Sequence, residues 1–522
     1  MVVGLIPAFA QNASETEAPD PAPAAALPAL EEQLPPGRVG RVGFVSGTVD
    51  LRTSRETGWA DAVLNQPIFT GEAVRTDRRA RAEIQIGANT IDLPAGTEIE
   101  ITSLSDQLTQ IALSRGRIDL HLRLVGDEET VEIDFPFGGL WLLGPGRYDI
   151  DAGDGDRPSR IAVFEGAAQF VGGGSDIRIE AGQMAVVAVS DSVMARTEPA
   201  VSDDFVEWCR ERDYDEARLA APYYISPYMT GFAELDAAGV WKINSDYGPV
   251  WFPIDPRWTP YRFGHWTWTA PWGWTWIDEQ PWGFAPSHYG RWALIDEHWA
   301  WVPGNFVARP LYMPAVVAFL GTPGVGLSSE DGTAVAWFPL APGEDYWPTY
   351  TRDVDYVRSL NFGNVKDVGT IGLQADGEPP LELFHKDFAN RQLASVAPRS
   401  VFVNGRSVAP TRIMLPQQRL QNAPVLMGSP QIAPPSTQQV AHAVTPAAKA
   451  PANRVAVRTS QKGNAKIIRA AAIKPRGREQ PVVIRGAHLH VPSYAGQARG
   501  RQPVVLRVAR NSHTVAGKEA RH

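Results

Sequence analysis

The chain has 522 residues, 44% of them hydrophobic, with 17 tryptophans, one cysteine and a formal net charge of −9. That length allows two to four domains with sizeable cores, and a single cysteine excludes an intramolecular disulfide and a cysteine-based metal site. Charge is uneven: from residue 391 onward 21 Lys and Arg face two acids, Glu479 and Glu519, so this part carries about +19 and residues 1–390 about −28.

Met1–Ala10 is apolar and ends in the small-x-small pattern Ala8-Phe-Ala10. This reads as a truncated signal peptide and predicts an exported protein. No other segment approaches the ~18 consecutive apolar residues of a membrane span. Residues 11–37 are Ala, Pro and acids, a composition that buries no core and reads as a disordered linker.

Residues 38–190 read as β throughout. Apolar residues alternate at Ala82/Ile84/Ile86, Ile99/Ile101, Ile111/Leu113, Ile118/Leu120/Leu122, Val131/Ile133/Phe135 and Ile161/Val163. Turn residues such as Gly87, Gly96, Gly116 and Gly166 separate them. Period-2 runs at such short spacing predict a sandwich or roll. Residues 202–221 read as a helix linking two β regions, with Ser202 as N-cap, Asp203 and Asp204 in the first turn, and Phe205, Trp208, Cys209 and Arg212 on one face. Pro222 would stop it.

Twelve of the 17 tryptophans fall in residues 241–304. Trp at i, i+2 and i+4 shares one face of an extended strand, and the intervening Pro and Gly set turns. The stretch repeats: Gly264-His-Trp266 matches Gly290-Arg-Trp292, Trp274-Thr-Trp276 matches Trp299-Ala-Trp301, and Val250-Trp-Phe-Pro253 recurs as Ala336-Trp-Phe-Pro339. A period near 25 residues predicts small stacked β units. From about 411 the chain is rich in Ala, Pro, Gln, Val and Arg with no period, and residues 411–522 read as a basic disordered tail.

Two resemblances follow from these residues. Arg41-Val-Gly-Phe-Val-Ser-Gly47-Thr-Val49, Gly71-Glu-Ala-Val-Arg-Thr76, Gly116-Arg-Ile118, Phe164-Glu-Gly166 and Ala181-Gly-Gln183, in that order, resemble the FecR domain, an extracytoplasmic β domain. FecR-type regulators also carry a cytoplasmic segment and a membrane helix that control a sigma factor. Neither pattern is visible here, so the resemblance implies the exported β domain and not the signalling role. Tyr247-Gly-Pro-Val-Trp-Phe-Pro253, Trp282-Gly-Phe-Ala-Pro-Ser-His-Tyr-Gly-Arg-Trp292 and Pro398-Arg-Ser-Val-Phe-Val-Asn-Gly405 resemble a Trp-rich domain of exported bacterial proteins, here spanning about 225–410. That family implies no catalytic residues.

Chemistry is sparse. Most of the twelve indoles are expected in the core, since exposing all of them would invite aggregation. The row Trp272, Trp274 and Trp276 is the expected accessible platform for stacking on sugar rings. His265, His288 and His298 lie near Asp278, Asp296 and Glu297, but without metal-ligand spacing. Arg262, Arg291 and Arg309 sit beside aromatics and read as structural. The expectation is a mainly β protein: an antiparallel FecR-like sandwich or roll, a short linking helix, a Trp-rich small-β repeat domain and a disordered C-terminal tail. Its expected role is non-enzymatic, without cofactor, catalytic residues or metal, binding envelope glycan or an envelope protein. The alternatives are a glycan hydrolase using Asp278 or Asp296, and a tail that binds nucleic acid or another polyanion.

Overall fold

The computed structural model describes residues 34–54, 58–154, 156–189, 193–213, 219–329, 332–371 and 387–434. The expected signal peptide, most of the expected linker and the chain beyond 434 lie outside them. No helix among the described residues is long and apolar enough to cross a membrane.

The chain is mainly β. Two nine-stranded sheets run from Gly40–Ser46 to Val193–Pro199. One strand pair, Leu108–Arg115 with Thr130–Phe135, is parallel. Alternation explains the core: Ile84, Ile101, Ile111, Leu113, Ile118, Leu120, Ile133, Ile161 and Val163 are all buried in one cluster. Each such side chain contributes roughly 1.5–3 kcal/mol on burial. The turns are as tight as the glycines require: at Gly116 φ is +84°, and a Cβ there would lie 2.6 Å from Thr97 Cα. The last strand extends past residue 190, pairing Gln183 with Pro199.

The linking helix is shorter than expected. It spans Asp204–Arg212 (α1), and its N-cap is Asp203, not Ser202. The Asp203 carboxylate accepts from Phe205 N and Val206 N, both at 3.1 Å, whereas the Ser202 hydroxyl is spent on Glu207. Chain direction changes at Asp213, which is extended (φ −58°, ψ 137°). Arg123, Arg147 and His121 on the sheet hold its carboxylate. That ionic anchor, unreadable from helix periodicity, ends α1 nine residues before Pro222.

Under α1 the sheet carries a row of acids. Glu83 lies opposite Asp92, Asp92 opposite Asp119, and Asp119 opposite Asp149. All four are buried. Directly opposed like charges destabilise a sheet unless compensated. Arg212 pairs with Glu83 at 2.7 Å, Arg147 with Asp119 at 2.7 Å and Arg117 with Asp149 at 2.8 Å.

The sequence repeat is a pair of hairpins. Gly264–Thr269 pairs with Gly273–Asp278, and Arg291–Ile295 with His298–Val302. Matching indoles meet across each ladder, Trp266 with Trp276 and Trp292 with Trp301. The second hairpin joins Gly248–Pro253 and Gly239–Asn244 in a four-stranded sheet, with Gly239–Asn244 at its edge. Ten of the twelve clustered tryptophans are buried.

Residues 411–434, expected in the tail, belong to the fold. A helix at Gln417–Asn422 leads into the strand Val425–Met427, which pairs with Val317–Leu320. Leu420, Val425, Leu426, Met427 and Ile432 are buried. These elements are too short to show a period, so composition alone read them as disorder. At the other end, the expected linker is already packed at Gly37, whose carbonyl accepts from Tyr312 N.

The sandwich and the Trp-rich region share a core: Val39, Phe69 and Ala88 join the indole cluster. A buried polar seam reinforces it. Arg41 Nη1 donates to Asn65 Oδ1 at 2.5 Å and to Pro281 O at 2.8 Å. Asn65 Nδ2 donates to Asp278 O at 2.9 Å and Gln280 O at 2.6 Å. Arg41 also pairs with Glu234.

Candidate functional site

The row expected to face solvent does not. Trp272, Trp274 and Trp276 are 3%, 3% and 0% exposed. Trp274 Nε1 donates to Ile432 O at 2.9 Å and its ring packs 4.4 Å from Phe402. Trp276 packs edge-on to Trp266 at 5.4 Å. Trp272 packs edge-on to Tyr312 at 5.7 Å. Alternation correctly gathers these indoles, but the later segments around Phe402 and Ile432 cover Trp274, and Phe69 and Tyr312 cover Trp272. The exposed indole of this hairpin is Trp268, opposite Trp274 and 42% exposed.

The titratable residues of the repeat do not converge on one site. Asp278 is buried, and its carboxylate accepts from Trp276 Nε1 at 3.1 Å and Gln280 N at 2.9 Å. Burial pushes its carboxyl up to about 7. The turn closes over it so tightly that a Cβ on Gly283 would lie 2.3 Å from Asp278 Oδ1. His288 is buried, donates from Nδ1 to Met313 O at 2.8 Å and is pushed down to about 3 by burial. Arg291 is buried and donates to Glu344 O, Gly290 O and Asn361 Oδ1. Arg309 lies over the Tyr228 ring at 4.3 Å. Asp296 and His298, by contrast, are exposed at a hairpin tip.

That tip borders an open groove of about 580 Å³ on the outer face of the four-stranded sheet. Cross-strand register builds it. Trp241 opposite Trp251 faces the core, so the alternate pairs Val240 with Phe252 and Lys242 with Val250 face outward. Val250, Ala293, Ala300 and Val302 form a small buried cluster with Phe252 and Ile295 packed against it. Ile254 and Val240 are 65% and 53% exposed. The Lys242 ammonium sits 4.7 Å from the Phe252 ring centroid. Asp255, Asp296 and His298 add polar groups. Asp255 is held below the usual carboxylate range by the backbone amide of Arg257.

A second hollow of about 310 Å³ adjoins the first, sharing Pro253, Ile254, Asp255 and Trp258 and extending to Gln280 and Trp282. Trp258 lies at the join, and its buried Nε1 has no hydrogen-bond acceptor among the described residues. Its ring packs on Trp282 at 4.6 Å and Trp292 at 5.0 Å. The hairpin tip is strained, because Asp296 and Glu297 both have positive φ, 49° and 65°. Side chains rarely adopt that conformation, and strain of this kind gathers at functional sites.

Sequence reasoning named Asp296 and His298 but missed Val240, Lys242, Phe252 and Ile254. The signal lay in the alternation: once Trp241 and Trp251 are assigned to the core, their neighbours must face out.

A family of unknown function, DUF6600, matches residues 232–344, the segment that carries this groove. No curated protein matches the chain. Among solved structures, two crystal structures of a proposed anti-sigma factor from Parabacteroides distasonis ATCC 8503 match with 12% identity and a TM-score of 0.24. Each match covers 26% of this chain, and 64% or 63% of the other.

Proposed function

We propose that this chain is a non-enzymatic binding protein of the bacterial cell envelope, and that the groove of its Trp-rich domain receives a glycan strand. The observation that carries this reading is the groove itself: two adjoining hollows with an apolar floor, exposed Ile254 and Val240, and polar groups at the margin. Concave, mostly apolar sites with a few placed polar groups are the usual form of a binding site. An extended hollow suits a polymer better than a compact small molecule. Lys242 supplies a cation for the acidic groups of an envelope glycan.

Export and the FecR-like character of the sandwich belong to the same proposal. They rest on the apolar start of the chain and on the order of the sandwich motifs.

The test is co-sedimentation of the full chain with purified peptidoglycan. Wild type is expected in the pellet, and Lys242→Glu and Ile254→Asp in the supernatant with unchanged thermal stability. Equal pelleting of both variants, or none by wild type, overturns the glycan reading.

A second reading rests on one observation: Gly239–Asn244 is an edge strand with Val240 and Ile243 exposed. A protein partner could add a strand there. Ile243→Pro would then abolish capture of that partner and leave peptidoglycan pelleting intact.

A further inference from the structure

The acid row beneath α1 is compensated at three of its four positions. Among the described residues Glu83, Asp119 and Asp149 each have an arginine, and Asp92 has no ion pair. Asp92 is 3% exposed and Asp119 0%. One carboxylate oxygen of each, Asp92 Oδ1 and Asp119 Oδ2, is buried without a hydrogen-bond partner. Cys209, fully buried on α1, comes down on the same spot. Its Sγ and one oxygen from each carboxyl all lie within 4.8 Å of one another.

We propose that Asp92, Asp119 and Cys209 form a binding site for a divalent transition metal of the zinc class. One thiolate sulfur and two carboxylate oxygens supply three of the four ligands of a tetrahedral ion. With metal–oxygen bonds of about 2.0–2.2 Å and metal–sulfur bonds of about 2.3 Å, ligand atoms sit roughly 3.5 Å apart. The observed spacing therefore closes on an ion with a small shift. The sulfur favours zinc, cobalt or iron over magnesium or calcium.

Binding exchanges the thiol proton for the metal, and the proton leaves to solvent. The ion adds positive charge beside Asp92, which otherwise takes only a hydrogen bond from the Cys209 thiol and the charge of Arg212. Arg147, donating to Asp119 Oδ1 at 2.7 Å, holds that carboxylate in place from the other side. The expectation that one cysteine excludes a cysteine-based metal site holds for several thiolates and not for this mixed set, whose members are brought together from two strands and a helix.

The chain has one cysteine, so a thiolate-to-cobalt charge-transfer band can arise only from Cys209. The experiment is titration of chelator-treated, reduced full-length protein with Co²⁺. The expected result is that band saturating at a single equivalent, its displacement by Zn²⁺, and a rise in Tm with Zn²⁺. Asp92→Asn and Cys209→Ser are expected to lose both signals. If either variant fails to fold, the wild-type titration alone decides. Saturating cobalt without a thiolate band, with Cys209 reactive as a free thiol after unfolding, overturns the proposal. So does cobalt bound with only nitrogen and oxygen signatures, which would place the ion elsewhere.

Discussion

Phe69 of the sandwich stacks on Trp272 of the Trp-rich region with ring centroids 4.0 Å apart and planes inclined by 26°. The two rings lie in one buried cluster that also contains Tyr312 and Phe284. The sandwich and the Trp-rich region therefore share a core rather than meeting across a wet seam. Phe69→Ala is expected to cost about 3–5 kcal/mol, the usual range for a large aromatic removed from a core. Calorimetry should then show the single wild-type transition separating into two. A uniform fall in Tm without separation would mean that the polar seam of Arg41 and Asn65 suffices to couple the halves.

Two buried groups give stability opposite slopes in pH. Asp278, pushed up to about 7 by burial, favours the folded state fully below the ordinary carboxylate range. That contribution is lost as pH rises through 7. His288, pushed down to about 3 by burial, contributes fully above its ordinary value near 6.5, and the contribution is lost as pH falls toward 3. Asp278→Asn should therefore stabilise increasingly from pH 4 to pH 8, by an amount on the order of a few kcal/mol. His288→Asn should flatten the fall in stability between pH 6.5 and 4. Denaturant midpoints across that range decide both; a pH-independent effect of Asp278→Asn would show that the carboxylate is better solvated than its burial implies.

The strained hairpin tip offers a gain. Two-residue hairpin turns with both φ positive prefer Asn-Gly, whereas Asp296-Glu297 occupies these positions. The double change Asp296→Asn, Glu297→Gly is expected to stabilise by about 1 kcal/mol. An unchanged Tm would show that neighbouring contacts already relieve the turn.

Fluorescence should report the indole arrangement directly. Trp268 is the one tryptophan among the seventeen that is more than a third exposed. Trp268→Phe should remove most of the acrylamide-quenchable emission and change stability by no more than about 1 kcal/mol. Trp274→Phe should leave quenching unchanged. The reverse pattern would put the Trp274 row back at the surface.

The sandwich strands were legible because a half-buried strand writes its inner face into every second residue, as at Ile118, Leu120 and Leu122. The two hairpins were legible as a repeat. What covers Trp274 was not, because Phe402 and Ile432 are more than a hundred residues away in sequence. The groove was half legible: His298 and Asp296 drew attention as polar residues, whereas Phe252 and Ile254 carry no polar group to single them out. The three atoms of the proposed metal site gave no sequence signal, since Asp92, Asp119 and Cys209 meet only through strand register and the docking of α1.

Pairing of Val425–Met427 with Val317–Leu320 sets an order of events during synthesis. The sandwich, complete by Pro199, can close while the ribosome is still translating. The Trp-rich region cannot, because a strand of its sheet arrives about a hundred residues after its neighbour. At ~5–20 residues per second that leaves the aromatic core open for roughly 5–20 seconds. Over that interval a large set of indoles and an unpaired edge are available to any chaperone that meets the nascent chain.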